Sequence, residues 1–286
     1  MDDHAASPRR TASPKRALAV FFAVLVPTTI LIETLLITGV LRKSALAFFL
    51  LMWTPGVAAL VAKFACDRSL RIGWRPGAPG YLAIGFFLPI VYALVYYGFA
   101  WSSGFGDFSL AGLAAEGDYA ADWGGFRRYV VMLLTSGLAI GVLFALGEEI
   151  GWRGFLVPVL LRTRSFLQTS LIIGALWAVW HFPLIVTGDY GDPSTPLWFR
   201  LGCFFVSVLA IAVVLTWLRM KSNSVWPSTL LHASHNLFIQ SLFTPLTHAN
   251  ASSGYVIGEF GLGLAATTTL AACGVLWWRR RGIAGA

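Results

Sequence analysis

Residues 129–164 read YVVMLLTSGLAIGVLFALGEEIGWRGFLVPVLLRTR, and this stretch decides the fold. From Tyr129 to Gly147 it contains no charged residue. A helix that crosses the ~30 Å hydrocarbon core of a bilayer needs ~20 mostly apolar residues at 1.5 Å rise each, so this run is a membrane span. At its end the apolar pattern breaks abruptly. Glu148, Glu149 and Arg153 arrive together, and the stretch closes on the basic turn Arg162–Arg164.

The same ruler, moved outward, finds seven more runs near 17–41, 45–65, 80–100, 165–187, 197–218, 225–246 and 256–278. Composition agrees: of 286 residues, 57% are hydrophobic and 12% charged, with net charge +8. Mean hydropathy is +0.72. Soluble domains average ~25% charged residues, and this chain has too few to cover a soluble surface. Disordered, fibrous and ordinary soluble enzyme classes are thereby excluded. The expected fold is all-α, a polytopic bundle of about eight transmembrane helices. Residues 1–16 read as a disordered cytoplasmic tail and 17–286 as one transmembrane domain, with its chemistry concentrated in 129–246. The first run is too long for a signal peptide and lacks a clear small-residue cleavage site, so it reads as a membrane anchor.

Charge placement gives an orientation. Lys and Arg cluster in the tail, after the second run (Arg68, Arg71, Arg75), after the fourth, after the sixth (Arg219, Lys221) and at Arg279–Arg281. The alternate loops 188–196 and 247–255 have none. The positive-inside bias then puts both termini in the cytoplasm; Arg42 and Lys43 are the exception, facing outward. The lack of an organellar targeting segment and the Ala/Gly-rich chain point to a bacterial inner membrane. Loop 101–126, rich in Gly, Ser and acidic residues, has room for a short interfacial helix. Basic residues confined to short loops are not the surface of a nucleic-acid binder. The odd, scattered Cys66, Cys203 and Cys273 form no disulfide framework.

Ionisable groups inside spans are costly and mark function by default. Lys63 and Arg200 lie near span ends, where such side chains snorkel to the interface. Glu33 and Glu259 stand isolated and read as neutral carboxyls hydrogen-bonded across helices. His235 reads as a histidine satisfied by a local partner. The rest form a constellation on successive spans: Glu148, Glu149 and Arg153 in GEEIGWRGF, Trp177 and His181 in WAVWHFP, His232 and Asn236 in LLHASHNLF. His232 and Asn236, i and i+4, share a helix face. Counted from Arg164, Glu148 and His181 fall at about one depth, and His232–Asn236 fall near it. Neither G-x-S-x-G nor H-E-x-x-H occurs. Paired carboxylates suit a general base, imidazoles can orient a water, and His232 with Asn236 can donate to a developing oxyanion. Arg153 is a forked partner for one carboxylate.

E-E-x-x-x-R, an aromatic-x-x-x-His and H-x-x-x-N, in this order on membrane helices, resemble the CPBP family. These are the type II CAAX prenyl proteases and their bacterial relatives, also called ABI proteins. The resemblance covers Glu148 to Asn236, a third of the chain, and the family's eight-helix layout agrees with the spans. One departure is Trp177, where the family pattern has Phe; it is expected to alter pocket shape and leave the chemistry alone. The resemblance implies an intramembrane glutamic endopeptidase. Glu148 would activate water with help from His181, and His232 and Asn236 would form the oxyanion hole. Glu149 and Arg153 would hold the motif. Members are described both as metal-dependent and as metal-free. A zinc ion on Glu148, His181 and His232 is the alternative; Asn236, a poor zinc ligand and a good oxyanion donor, favours the metal-free form. The partners expected are the bilayer and a membrane-associated peptide or protein, prenylated or not. The rival readings are a transporter or proton relay, a non-proteolytic family member, and polar groups that merely join helices at ~0.6 kcal/mol each.

Overall fold

The computed structural model describes residues 13–191 and 194–284. Short polar residues set where its helices begin. Ser13, Ser44 and Ser165 each accept a hydrogen bond from a backbone N–H of the first turn. At Ser165 the cap is reciprocal, because the Gln168 side chain accepts from the Ser165 N–H in return. Helix ends are equally local: Gly188 and Asn223 take the left-handed conformation that stops a helix.

Eight helical rods result among the described residues. They are α1 (Pro14–Ile37), α2 (Ala45–Cys66), α3 (Pro79–Ser102), α4 (Trp123–Leu160), α5 (Phe166–Thr187), α6 (Leu197–Ser222), α7 (Trp226–Phe238) and α8 (Leu262–Ala284). Each matches one apolar run of the sequence. Among the described residues, α1 to α6 are long and apolar enough to cross a membrane. The protein is therefore a polytopic all-α membrane protein. α7 is short, but a π-helical segment, Ile239–Phe243, prolongs it. Three threonines and three arginines make α8 more polar than the others.

Several boundaries differ from expectation. α1 begins at Pro14, so the last residues assigned to the tail are its first turn; residues 1–12 lie outside the described part. α4 does not stop at Gly147 but runs on to Leu160, through the wider π-helical turn Ile150–Leu156. Loop 101–126 carries a 3-10 helix, Ala111–Glu116, and a two-residue strand, Asp107–Phe108, which pairs antiparallel with Thr247–His248. Lys43, expected to face outward, forms an ion pair with Asp189. Arg200, expected to snorkel, is instead buried within the protein, and its Nε and Nη1 have no partner among the described residues.

α2 and α4 pack so closely that side chains are excluded between them. A Cβ on Gly147 would lie 2.6 Å from Trp53 Cγ, and one on Gly151 would lie 2.4 Å from Pro55 Cβ. Small residues that let backbones meet are the usual means of joining helices in lipid. Arg219 fastens this end further, donating from Nε to the Arg153 carbonyl at 3.1 Å and from Nη2 to that of Arg71 at 2.9 Å. At the opposite ends the helices separate around a cavity of about 580 Å³.

Candidate active site

Glu148, Glu149 and Arg153 sit where α4 passes into its π-helical turn, and all three are at most 1% exposed. Arg153 Nη1 donates to Glu149 Oε1 at 2.9 Å. The same oxygen receives His232 Nδ1 at 3.1 Å. Because a carboxylate only accepts, Nδ1 carries the proton, and Nε2 of His232 is left as an acceptor. Glu149 thus links α4 to α7 and fixes the imidazole, which is more than the holding role expected of it. The forked Arg153 contact reduces to one bond, and Nε and Nη2 find no partner among the described residues.

Glu148 is held differently. Its Oε2 accepts two indole N–H groups, Trp177 Nε1 at 2.6 Å and Trp152 Nε1 at 3.4 Å. Both bonds fall on one oxygen, so Oε1 is free to meet a water. The depth count needs correcting here. It placed His181 level with Glu148 by counting from Arg164, but the helices end at Leu160 and begin again at Phe166. Counted from those ends, Trp177 falls within one residue of Glu148's depth, and His181 lies one turn further on. Its Nδ1 donates to the Trp177 carbonyl at 2.8 Å, leaving Nε2 as an acceptor. The Trp177 ring also covers Arg153, whose Cζ is 4.3 Å from its centroid. The aromatic position therefore bears on the chemistry: a phenylalanine there would have no N–H for Glu148.

Glu148, Trp177, His181, His232 and Asn236 all line the 580 Å³ cavity, and Asn236 makes no side-chain hydrogen bond among the described residues. Of the expected site residues, Glu149 and Arg153 lie behind the wall instead. A zinc ion on Glu148, His181 and His232 would need these donors to converge. Among the described residues no group of three or more His, Cys, Asp or Glu side chains is placed to hold a metal ion.

A second polar cluster was not foreseen. Glu259, far from isolated, accepts from His235 Nε2 at 3.2 Å and from Tyr190 Oη at 2.5 Å, and His235 Nδ1 meets Tyr92 Oη at 2.5 Å. The Tyr190 ring stands 5.7 Å from that of His181, so the two clusters adjoin. The spacing of Trp152, i+4 from Glu148, was a usable signal; nothing in the sequence marked Tyr190 or Tyr92. Glu33 lines the cavity as well, but its Oε1 has no partner among the described residues, contrary to the cross-helix bond expected.

The family model described as "Type II CAAX prenyl endopeptidase Rce1-like" matches residues 130–238. Over this segment the chain is similar to the type II CAAX prenyl endopeptidases, in line with the resemblance carried by its motifs. A curated relative, "CAAX prenyl protease 2" of Methanococcus maripaludis, is 33% identical over 100 residues, 34% of this chain. The aligned part is 36% of that relative, so this chain spans about a third of its length. The matched segment begins in α4 and ends with α7, and it carries every cavity residue named in the sequence motifs.

Proposed function

We propose that this chain is an intramembrane endopeptidase in which Glu148 activates a water. One observation carries the reading: Glu148, His181 and His232 are each anchored through one polar atom, and all face one cavity beside Asn236. Such preorganisation is what hydrolysis in a dry site requires. Glu148 Oε1 takes a proton as the water oxygen attacks the scissile carbonyl. His181 Nε2 accepts the water's other O–H and aligns it. The Asn236 amide donates to the carbonyl oxygen as it becomes an oxyanion, and His232 does so once it is protonated, with its charge balanced by Glu149. The proton held by Glu148 then passes to the leaving nitrogen as the C–N bond breaks. Glu149 and Arg153 act through His232 and Trp177 and hold them in place. No step runs through a metal.

The name of the relative supports the protease class, and the membrane setting supports a substrate that is itself membrane-associated. The test is cleavage of a panel of prenylated and unprenylated membrane peptides by purified wild type and Glu148→Ala. Cleavage by the wild type alone, unchanged by a chelator, is expected. Equal cleavage by both proteins refutes the reading, and loss of activity with chelated zinc refutes its metal-free form.

A further inference from the structure

A second cavity, of about 460 Å³, lies beside the first. Its lining includes Thr244, Ala249 and Asn250, all exposed, so it opens at the surface beside loop 247–255. Its inner end is lined by Tyr190, Gln240 and Glu259, and the same residues line the central cavity. These side chains are the partition between the two spaces. Room extends down to it, because a Cβ on Gly258 would meet nothing within 4 Å.

The two linings differ in chemistry. In the central cavity the polar site is set among Met52, Leu133, Ile140, Phe144 and Ile211. The second cavity instead presents Thr195, Thr244, Thr247, Asn250 and Ser253. A water is retained where the space exceeds ~10–15 Å³ and two to four polar groups surround it. The second cavity meets that condition, and the apolar walls of the first do not.

The partition is rigid and polar at its centre. The Tyr190 ring packs on Phe260 and Phe204, at centroid distances of 5.4 and 6.0 Å, and its Oη donates to Glu259 at 2.5 Å. The ring also stands 5.7 Å from that of His181. A water that passes Tyr190 and Glu259 therefore arrives beside His181, whose Nε2 is an open acceptor. Hydrolysis consumes one water per turnover, and a peptide that fills the central cavity expels the water held there. The nucleophile then has to come from another side.

We propose that the second cavity is the water inlet of the site, with Tyr190 and Glu259 as the polar pair that hands each water to His181. Its purpose rests on the endopeptidase reading; its hydration does not. Two measurements test it. In the chain with Cys66, Cys203 and Cys273 replaced by Ala, Ile257→Cys places a thiol on the wall of the second cavity. The folded protein is treated with a methyl thiosulfonate or with a large aromatic one. The aromatic adduct should lower kcat roughly tenfold against the methyl adduct, about 1.4 kcal/mol on the barrier, with KM unchanged and activity restored by reductant. A thiol that neither reagent reaches, equal kcat for the two adducts, or a change in KM alone overturns the inlet. The second measurement needs no cleavage: hydroxyl-radical labelling by X-ray pulses, which modifies side chains beside water, is read at Tyr190 by mass spectrometry. Tyr190 should be labelled in Glu148→Ala saturated with a membrane peptide, and protected by the aromatic adduct. Protection by the bound peptide alone means that water enters through the central cavity, and it overturns the proposal. Absence of cleavage in wild type with Tyr190 labelled as expected refutes the endopeptidase reading and leaves a hydrated cavity whose purpose is not water supply.

Discussion

The two ends of the bundle are built on opposite principles. At the basic end, α2 and α4 meet backbone to backbone at Gly147 and Gly151, and Arg219 ties α6 to its neighbours through carbonyls. At the other end the same helices carry Phe48, Met52 and Phe144 and stand apart around a cavity. In the closed half charged groups pair within the protein, Arg162 with Asp67 and Arg153 with Glu149, although Arg153 keeps Nε and Nη2 without a partner among the described residues. In the open half, Glu33 and Asn236 have hydrogen-bonding capacity left over. A membrane protein gains rigidity where small residues let helices touch, and it gains a place for a ligand where large ones hold them apart. Changes in the closed half should therefore alter stability and leave the intrinsic rate alone, while changes in the open half should do the reverse.

The largest effect that would break this contrast is expected at Asn236. Asn236→Ala should lower kcat by about 10²–10³, the usual cost of one oxyanion donor, with thermal stability in detergent unchanged. A proton relay would keep its function in this variant. Next comes the closed half, where Gly151→Ala drives a Cβ against Pro55. Overpacking of this kind costs about 1–3 kcal/mol, to be read as a lowered unfolding midpoint, with the kcat of the folded fraction preserved. Trp177→Phe tests the boundary between the halves. It keeps the aromatic wall and removes the donor to Glu148 Oε2, so cleavage should fall roughly tenfold with little change in stability. Equal activity would mean that the indole N–H is dispensable.

The smallest effect lies outside the bilayer, at Asp67. Burial pushes its carboxyl up, but the Ser69 hydroxyl and the Arg162 guanidinium outweigh burial and hold it below the ordinary carboxylate range. A carboxyl depressed in the folded protein stabilises it above the unfolded value, and that contribution is lost as pH falls through the folded one. Because Arg162 is partly exposed, the pair is worth no more than about 1 kcal/mol. Asp67→Asn should lower stability by that amount at neutral pH and by less in acid, measured as unfolding midpoints across the acidic range. An equal loss at every pH would remove the ion pair from the account.

Much of the site was legible because its residues break a strong pattern. Glu148, Glu149 and Arg153 stand out in a span for the same reason that they are costly there, and helical periodicity alone puts His232 and Asn236 on one face. Trp152 was within reach at i+4. Tyr190, in a loop of no fixed period, and Tyr92, one tyrosine among several on α3, were not.

The sequence by itself determined the eight rods, their caps and the order of the motifs, since these depend on local hydropathy, on hydrogen bonds within a turn, and on chain order. It also marked which loops are basic. Which oxygen of Glu148 is held, that Glu149 joins Arg153 to His232, and that Glu259 is matched while Glu33 is not were decided only in the tertiary structure. These depend on how far each helix runs before it turns and how it leans on its neighbours. A shift of one helical turn, as between His181 and Trp177, exchanges one partner of Glu148 for another, and that register is set by how the packed helices meet.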